Sequence, residues 1–256
     1  MKDLIYTRAN KGDKSQLIEL WLSCFDEIPS ALEIFFEYAE KNARIFCAKR
    51  DNQIISALYL LSVKLAARQA NYLFAAATLK EYRGKGIMGK LIEYSMSEAQ
   101  KDGDVFSLLL PAGDGLYKFY ARFGYQPLCF MCEHEYTRES LKNFRLLRSD
   151  CAYTQYDEKF LCFAQKYYCA YGLKCIRTGG VFAIIDENSE SARVIYYECA
   201  SETELVREIL KNTSASKICV RSGSCNSDSR QKYGMIKQLD PAVDLPDNTY
   251  IGITFE

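Results

Sequence analysis

The chain has 256 residues, enough for one large domain or two modest ones with a real core. Lys plus Arg and Asp plus Glu both number 33, and residues 1–135 hold 17 of each sign, so neither half carries the cationic excess that nucleic-acid binding demands. With 48% hydrophobic and 26% charged residues, the composition excludes disordered and collagenous classes.

In chain order, Leu17, Leu20, Trp21, Cys24 and Phe25 recur at helical spacing and predict a helix over 15–25. After a break at Pro29, Leu32, Phe35, Phe36 and Tyr38 predict a second over 30–41. The period then changes: RIFCAKR (44–50) and IISALYLLSV (54–63) read as strands about a turn at Asp51-Asn52-Gln53, and NYLFAAATL (71–79) as a third. Met88, Ile92, Met96 and Ala99 line one face of a helix over 87–101. VFSLLL (105–110), stopped by Pro111, has the continuous apolar character of a strand covered on both faces. A short helix over 115–122 follows, and GYQPLCFMCEHEY opens a further strand.

Residues 136–156 read as a polar connection, after which the order restarts. A helix is expected over 157–171, strands near 181–186 and 193–199, a helix over 202–212, then strands near 216–220, 231–238 and 249–255. The fold class is mixed α+β, with a mixed sheet and one crossover in the first module (1–135) and a second module over 157–256.

No apolar run approaches the roughly 18–20 residues of a membrane span, and MKDLIYTRANKGDK lacks the apolar core of a signal peptide, so no membrane is expected. Eleven cysteines, an odd number, point to a reducing cytoplasmic setting with free thiols. Cys129-x-x-Cys132 with His134 has metal-like spacing, but the segment reads as a strand and no second ligand pair follows. Buried structural thiols are the expectation there, and no metal. His134 is the only histidine, which removes most Ser-His-Asp and Cys-His schemes.

The informative stretch is TLKEYRGKGIMGKL, residues 78–91. Gly84-x-Gly86-x-x-Gly89 matches a dinucleotide fingerprint, but Lys80-Glu81-Tyr82-Arg83 separates the strand from the glycines, and the next strand does not end in an acidic residue. Gly84-x-x-x-x-Gly89-Lys90 matches a P-loop until Leu91, where a metal-binding hydroxyl should stand. Arg83-Gly84-Lys85-Gly86-Ile87-Met88, entering a helix, fits a third pattern in which backbone N–H groups converge on an anion such as a pyrophosphate. An ordinary basic surface turn is the bland alternative.

Around this loop the chain resembles the GCN5-related N-acetyltransferases, the GNAT superfamily. Thr78 to Gly86 is similar to that family's acetyl-CoA loop, and Leu116-Tyr117-Lys118-Phe119-Tyr120-Ala121-Arg122-Phe123-Gly124-Tyr125 to its second signature. The resemblance covers about residues 1–135 and departs from the family at Met88 and Tyr117, where smaller residues are usual. The wording Tyr-x-Arg-Phe-Gly-Tyr is similar to the Eis-like (enhanced intracellular survival) branch, whose first acetyltransferase module is followed by a degenerate second one. Its additional sterol-carrier-like domain is not expected within 256 residues.

The resemblance implies a central mixed sheet, splayed at the cofactor and flanked by helices, with a second GNAT-like module. It implies acetyl-CoA as acetyl donor and direct transfer to a primary amine, a small molecule or a peptide. Main-chain groups of Ala76, Ala77 and Thr78 would meet pantetheine, and Arg83, Gly84, Lys85, Gly86, Ile87 and Met88 the pyrophosphate. Tyr120 would act on the departing thiolate as general acid, with Tyr125 as its rival for that role. Asp26 and Glu27 would attract the amine; a solvated acidic pair is the plain alternative. In the Eis-like branch the chain's terminal carboxylate is the base, and Glu256 offers one, though without the third domain that role is not carried over. The second module, lacking both signatures, would close the acceptor side or mediate a homodimer. The competing classes are a non-catalytic acyl-CoA sensor and a nucleotide-binding α/β protein.

Overall fold

The computed structural model describes residues 4–145, 151–223 and 230–255. The chain divides into two compact units: residues 1–127 with 235–245, and residues 128–234 with 246–256.

In chain order the first unit opens with β1 (Leu4–Arg8), then α1 (Lys14–Cys24) and α2 (Pro29–Asn42). Proline begins α2, where its missing N–H would be unpartnered anyway. Strands β2 (Ala43–Arg50), β3 (Gln53–Leu65) and β4 (Arg68–Thr78) form an antiparallel meander. The β2–β3 turn has Asp51 and Asn52 at φ 50° and 65°, the mirror-image turn that suits the twist of a two-residue hairpin. Helix α3 (Ile87–Lys101) crosses over to β5 (Phe106–Leu109), which pairs parallel to β4 and is buried throughout. Helix α4 (Asp114–Ala121) follows.

The second unit receives β6 (Phe130–Thr137), β7 (Ala152–Gln155), α5 (Glu158–Ala170), β8 (Lys174–Arg177), β9 (Val181–Glu187), β10 (Ser191–Cys199), α6 (Glu202–Asn212), β11 (Lys217–Ser222) and β12 (Gln231–Lys232). Asp157 caps α5, its carboxylate accepting from Phe160 N at 2.8 Å. The chain then returns to the first unit as β13 (Met235–Gln238), antiparallel to β5, and ends in the second with β14 (Thr249–Tyr250), parallel to β7.

The first unit's sheet runs β1-β2-β3-β4-β5-β13 and the second's β12-β6-β11-β10-β9-β8, both mixed. Their plans match. In the second unit β8, β9 and β10 are antiparallel, α6 crosses over, and β11 lies parallel to β10, repeating β2-β3-β4-α3-β5. Each sheet then takes an antiparallel neighbour from the other half of the sequence: β13 beside β5, and β6 beside β11. This differs from a division into 1–135 and 157–256. A strand's alternation marks one buried face but does not say which sheet edge it completes.

Two further differences concern the cysteines and the tail. Cys129 is a buried free thiol, as expected, but Cys132 is disulfide-bonded, which corrects the reading of both as free thiols. An i, i+3 spacing does not decide whether a cysteine is free or bonded. Residues 251–255 are buried without forming the strand expected there. Among the described residues no helix is long and apolar enough to cross a membrane, and no group of three or more His, Cys, Asp or Glu could hold a metal ion.

Candidate active site

The first unit's sheet opens at one place. β4 and β5 pair at Ala70–Phe106, Asn71–Ser107 and Tyr72–Leu108, and no ladder joins them beyond Tyr72 among the described residues. From Leu73 to Thr78, β4 follows β3 alone. Along that free stretch lies a bulge: Ala57 pairs with Ala77 and Tyr59 with Phe74, so Ala75 and Ala76 together oppose Leu58. Ala75 has φ 49°, a conformation uncommon for a residue with a side chain. A bulge of this kind leaves its extra residue out of the ladder. Of the expected pantetheine residues, Ala76 and Thr78 are half-buried and Ala77 is buried.

Where β4 ends, Arg83 Nε donates to the Thr78 carbonyl at 2.9 Å, and Arg83 Nη2 lies 3.6 Å from Cys24 Sγ, which itself donates to Thr78 O at 3.5 Å. Arg83 therefore braces the exit of β4 against the C-terminus of α1. Asp26 and Glu27 follow Cys24 after Phe25, in the break before Pro29; Asp26 is exposed and Glu27 half-buried.

The loop itself turns at Gly84 and Gly86, with φ 74° and 75°, and Gly86 is the N-terminal boundary of α3. A Cβ built on either glycine would meet nothing within 4 Å, so the space over the turn is open. No side chain caps α3, whose first-turn N–H groups stand at the positive end of a fifteen-residue helix. Lys85 Nζ sits 5.3 Å from the centre of the Tyr82 ring. Ile87 is buried, and Met88 is half-buried against the core cluster that Ala76, Tyr117, Phe119 and Phe123 also contact, so its bulk packs inward.

Tyr120 lies at the end of α4 and is 8% exposed. Burial pushes its phenol up to about 12. Its hydroxyl makes no hydrogen bond among the described residues, whereas Tyr125, fully buried, has its hydroxyl 2.7 Å from Ser107 Oγ.

Residues 6–128 match the model of an acetyltransferase (GNAT) domain. They are a GNAT acetyltransferase domain. The two glycine and tyrosine signatures, the β4 bulge and the fork all lie within it.

Solved structures share the fold over most of the chain. A conserved protein from Enterococcus faecalis matches with a TM-score of 0.71 at 14% identity, covering 93% of this chain and 73% of that one. A GCN5-related N-acetyltransferase from Anabaena variabilis gives 0.69 at 15% identity, over 93% and 73%. Eis1 from Mycobacterium abscessus gives 0.67 at 12% identity, again over 93% and 73%. At these identities the likeness is one of fold. No curated protein matches.

The GNAT domain brings Ala76, Ala77, Thr78 and the residue 83–88 loop onto one continuous stretch of chain, with Asp26 and Glu27 following a residue that touches it. Glu256 lies outside the described residues. Sequence reasoning missed Ala75, since a run of three alanines offers no side-chain signal for a bulge. It also missed that the Arg83 guanidinium donates to the Thr78 carbonyl.

The second unit keeps the outline without the loop. β10 has its own bulge at Ile195, and its pairing with β11 ends at Val194–Val220. The turn into α6 lacks glycine, however, and Glu202 and Glu204 occupy the helix's first turn, where an anion would otherwise be drawn.

Proposed function

We propose that the protein is an acetyl-CoA-dependent N-acetyltransferase acting through its first unit. The observation that carries the reading is the open glycine turn at an uncapped helix N-terminus, continuous with the unpaired edge of a bulged strand. That combination suits a ligand with a pyrophosphate at one end and an extended, amide-bearing arm at the other. The space over Gly84 and Gly86 fits the pyrophosphate, and the edge of β4 fits the arm as an added strand would.

Acetyl-CoA supplies an activated acyl thioester. Backbone N–H groups at the Ala75–Ala76 bulge would hold the oxyanion as an amine nitrogen bonds to the acyl carbon, an effect worth about 2.7–4 kcal/mol per donor. As the carbon–sulfur bond breaks, Tyr120 donates to the departing sulfur. A phenol raised to about 12 is a weaker acid than a thiol of reference value about 8.5, so Tyr120 stabilises the thiolate by hydrogen bonding and largely keeps its proton. Asp26 and Glu27 draw a cationic amine, which gives one proton to solvent water before attack and a second as the amide forms, while CoA leaves as the thiolate.

Incubation of the full chain with acetyl-CoA and a panel of primary amines, followed by mass spectrometry, tests the reading. Acetylated product with release of free CoA supports it. Tight CoA binding with no turnover on any amine would favour a sensor role instead.

A further inference from the structure

The root of the fork is held by a chain of buried polar side chains. Asn71 on β4 and Ser107 on β5 face each other in the parallel ladder, one pair before the strands part, and both are fully buried. Ser107 Oγ donates to Asn71 Oδ1 at 2.7 Å, and Asn71 Nδ2 donates to the Asp104 carboxylate at 2.6 Å. That carboxylate, itself buried, also accepts from Arg44 Nη2 and from Gln69 Nε2. Ser107 Oγ lies 2.7 Å from the Tyr125 hydroxyl.

Counting protons gives this chain a direction. The carboxylate accepts, so Asn71 turns its NH₂ to Asp104 and its oxygen to Ser107. Ser107 has one hydroxyl hydrogen, committed to Asn71. Tyr125 is therefore the donor to Ser107, and the Met96 sulfur, 3.4 Å from the same hydroxyl, is a second and weaker acceptor for that proton. The Tyr125 ring is thus fixed at its hydroxyl as well as at its backbone, and it meets the Tyr120 ring edge-on at 5.8 Å with 70° between planes. The Tyr120 hydroxyl has no hydrogen bond among the described residues, so ring packing sets its aim.

We propose that Tyr125 is a positioning residue for Tyr120, its hydroxyl tied through Ser107 and Asn71 to Asp104 and its ring setting the direction of the Tyr120 phenol at the fork. The inference rests on the reading that the CoA sulfur lies at Tyr120. It assigns to the last tyrosine of the second signature a role that requires no contact with substrate.

The test compares binding of CoA and dethio-CoA, which lacks the sulfur, by calorimetry at pH 8.5. The wild type should prefer CoA by about fivefold, the scale of one net hydrogen bond. Tyr120→Phe and Tyr125→Phe should each bring the ratio to about one, with dethio-CoA affinity held within about twofold. Ser107→Ala should do the same if Tyr125→Phe folds poorly, and the double variant should lose no more than either single one. A purely structural role would lower both affinities together and keep their ratio. If Tyr125→Phe keeps the preference while Tyr120→Phe loses it, the positioning role fails and the reading of Tyr120 stands. If the wild type does not bind CoA, or binds both ligands alike, the reading of the site fails and takes the inference with it.

Discussion

The Phe123 ring occupies the space that a side chain on Gly89 would need: a Cβ there would lie 2.7 Å from Phe123 Cζ. The contact joins the helix that follows the glycine turn to the segment that follows Tyr120. Gly89 is on the buried face of α3, just after the open turn, and Phe123 follows α4 and Tyr120. The glycine that mimics a dinucleotide fingerprint thus serves helix packing.

Gly89→Ala should therefore destabilise the protein by about 1–3 kcal/mol, the usual cost of overpacking a filled site. It should also weaken acetyl-CoA binding, since Phe123 can yield only by moving α4 or α3. Urea unfolding and calorimetry on the same preparation check both, and unchanged stability would show that the ring swings aside freely.

Tyr120→Phe should lower kcat for acetyl transfer by about 10²–10³-fold, the range for losing one preorganised hydrogen-bond donor to a developing charge, and leave the acetyl-CoA dissociation constant nearly unchanged. Steady-state kinetics beside equilibrium binding separate the two. A large rise in KM at constant kcat would instead assign Tyr120 to binding.

Asp104→Asn should cost about 3–5 kcal/mol of stability, because Arg44, 12% exposed, loses a buried carboxylate partner. Asp102, which also accepts from Arg44 at 3.2 Å, holds the loss toward the lower figure. Chemical denaturation measures it.

The second unit should carry an acid sensitivity centred on Glu187. Lys174, and then the Thr213 hydroxyl and Ser214 N–H, hold its carboxyl down to about 2 from an ordinary 4.5. A depressed folded-state value means stability that is fully present above 4.5 and lost as pH falls toward 2. Thermal unfolding of wild type and Glu187→Gln should differ most above pH 4.5 and converge only as pH reaches about 2. A constant gap between them across that range would rule out the charged pair as the source.

Much of the first unit was legible because periodicity and turn chemistry agreed. The change of period at Ala43, the glycines at 84 and 86 and the apolar run ending at Pro111 each have a local physical cause. The exchange of β6 and β13 had none: Met235 to Gln238 reads as a strand, but its partner is decided by an edge formed more than a hundred residues earlier. β1 went unread because five residues between polar neighbours give too short a pattern. At the site, the glycine turn and Tyr120 stand out by residue type. The bulge at Ala75, the Arg83 brace and the chain from Asp104 to Tyr125 are properties of backbone angle and side-chain direction, which residue type alone does not determine.

The central claim is that the turn at Gly84 and Gly86 receives acetyl-CoA. Calorimetric titration of acetyl-CoA into wild type and Gly86→Trp, with NAD⁺ and Mg-ATP as controls, tests it most directly. The account predicts saturable micromolar binding to wild type, abolished in a Gly86→Trp variant whose fold is preserved by circular dichroism, and no binding of either control. Well-folded wild type that ignores acetyl-CoA, or binds NAD⁺ or Mg-ATP in its place, would contradict it.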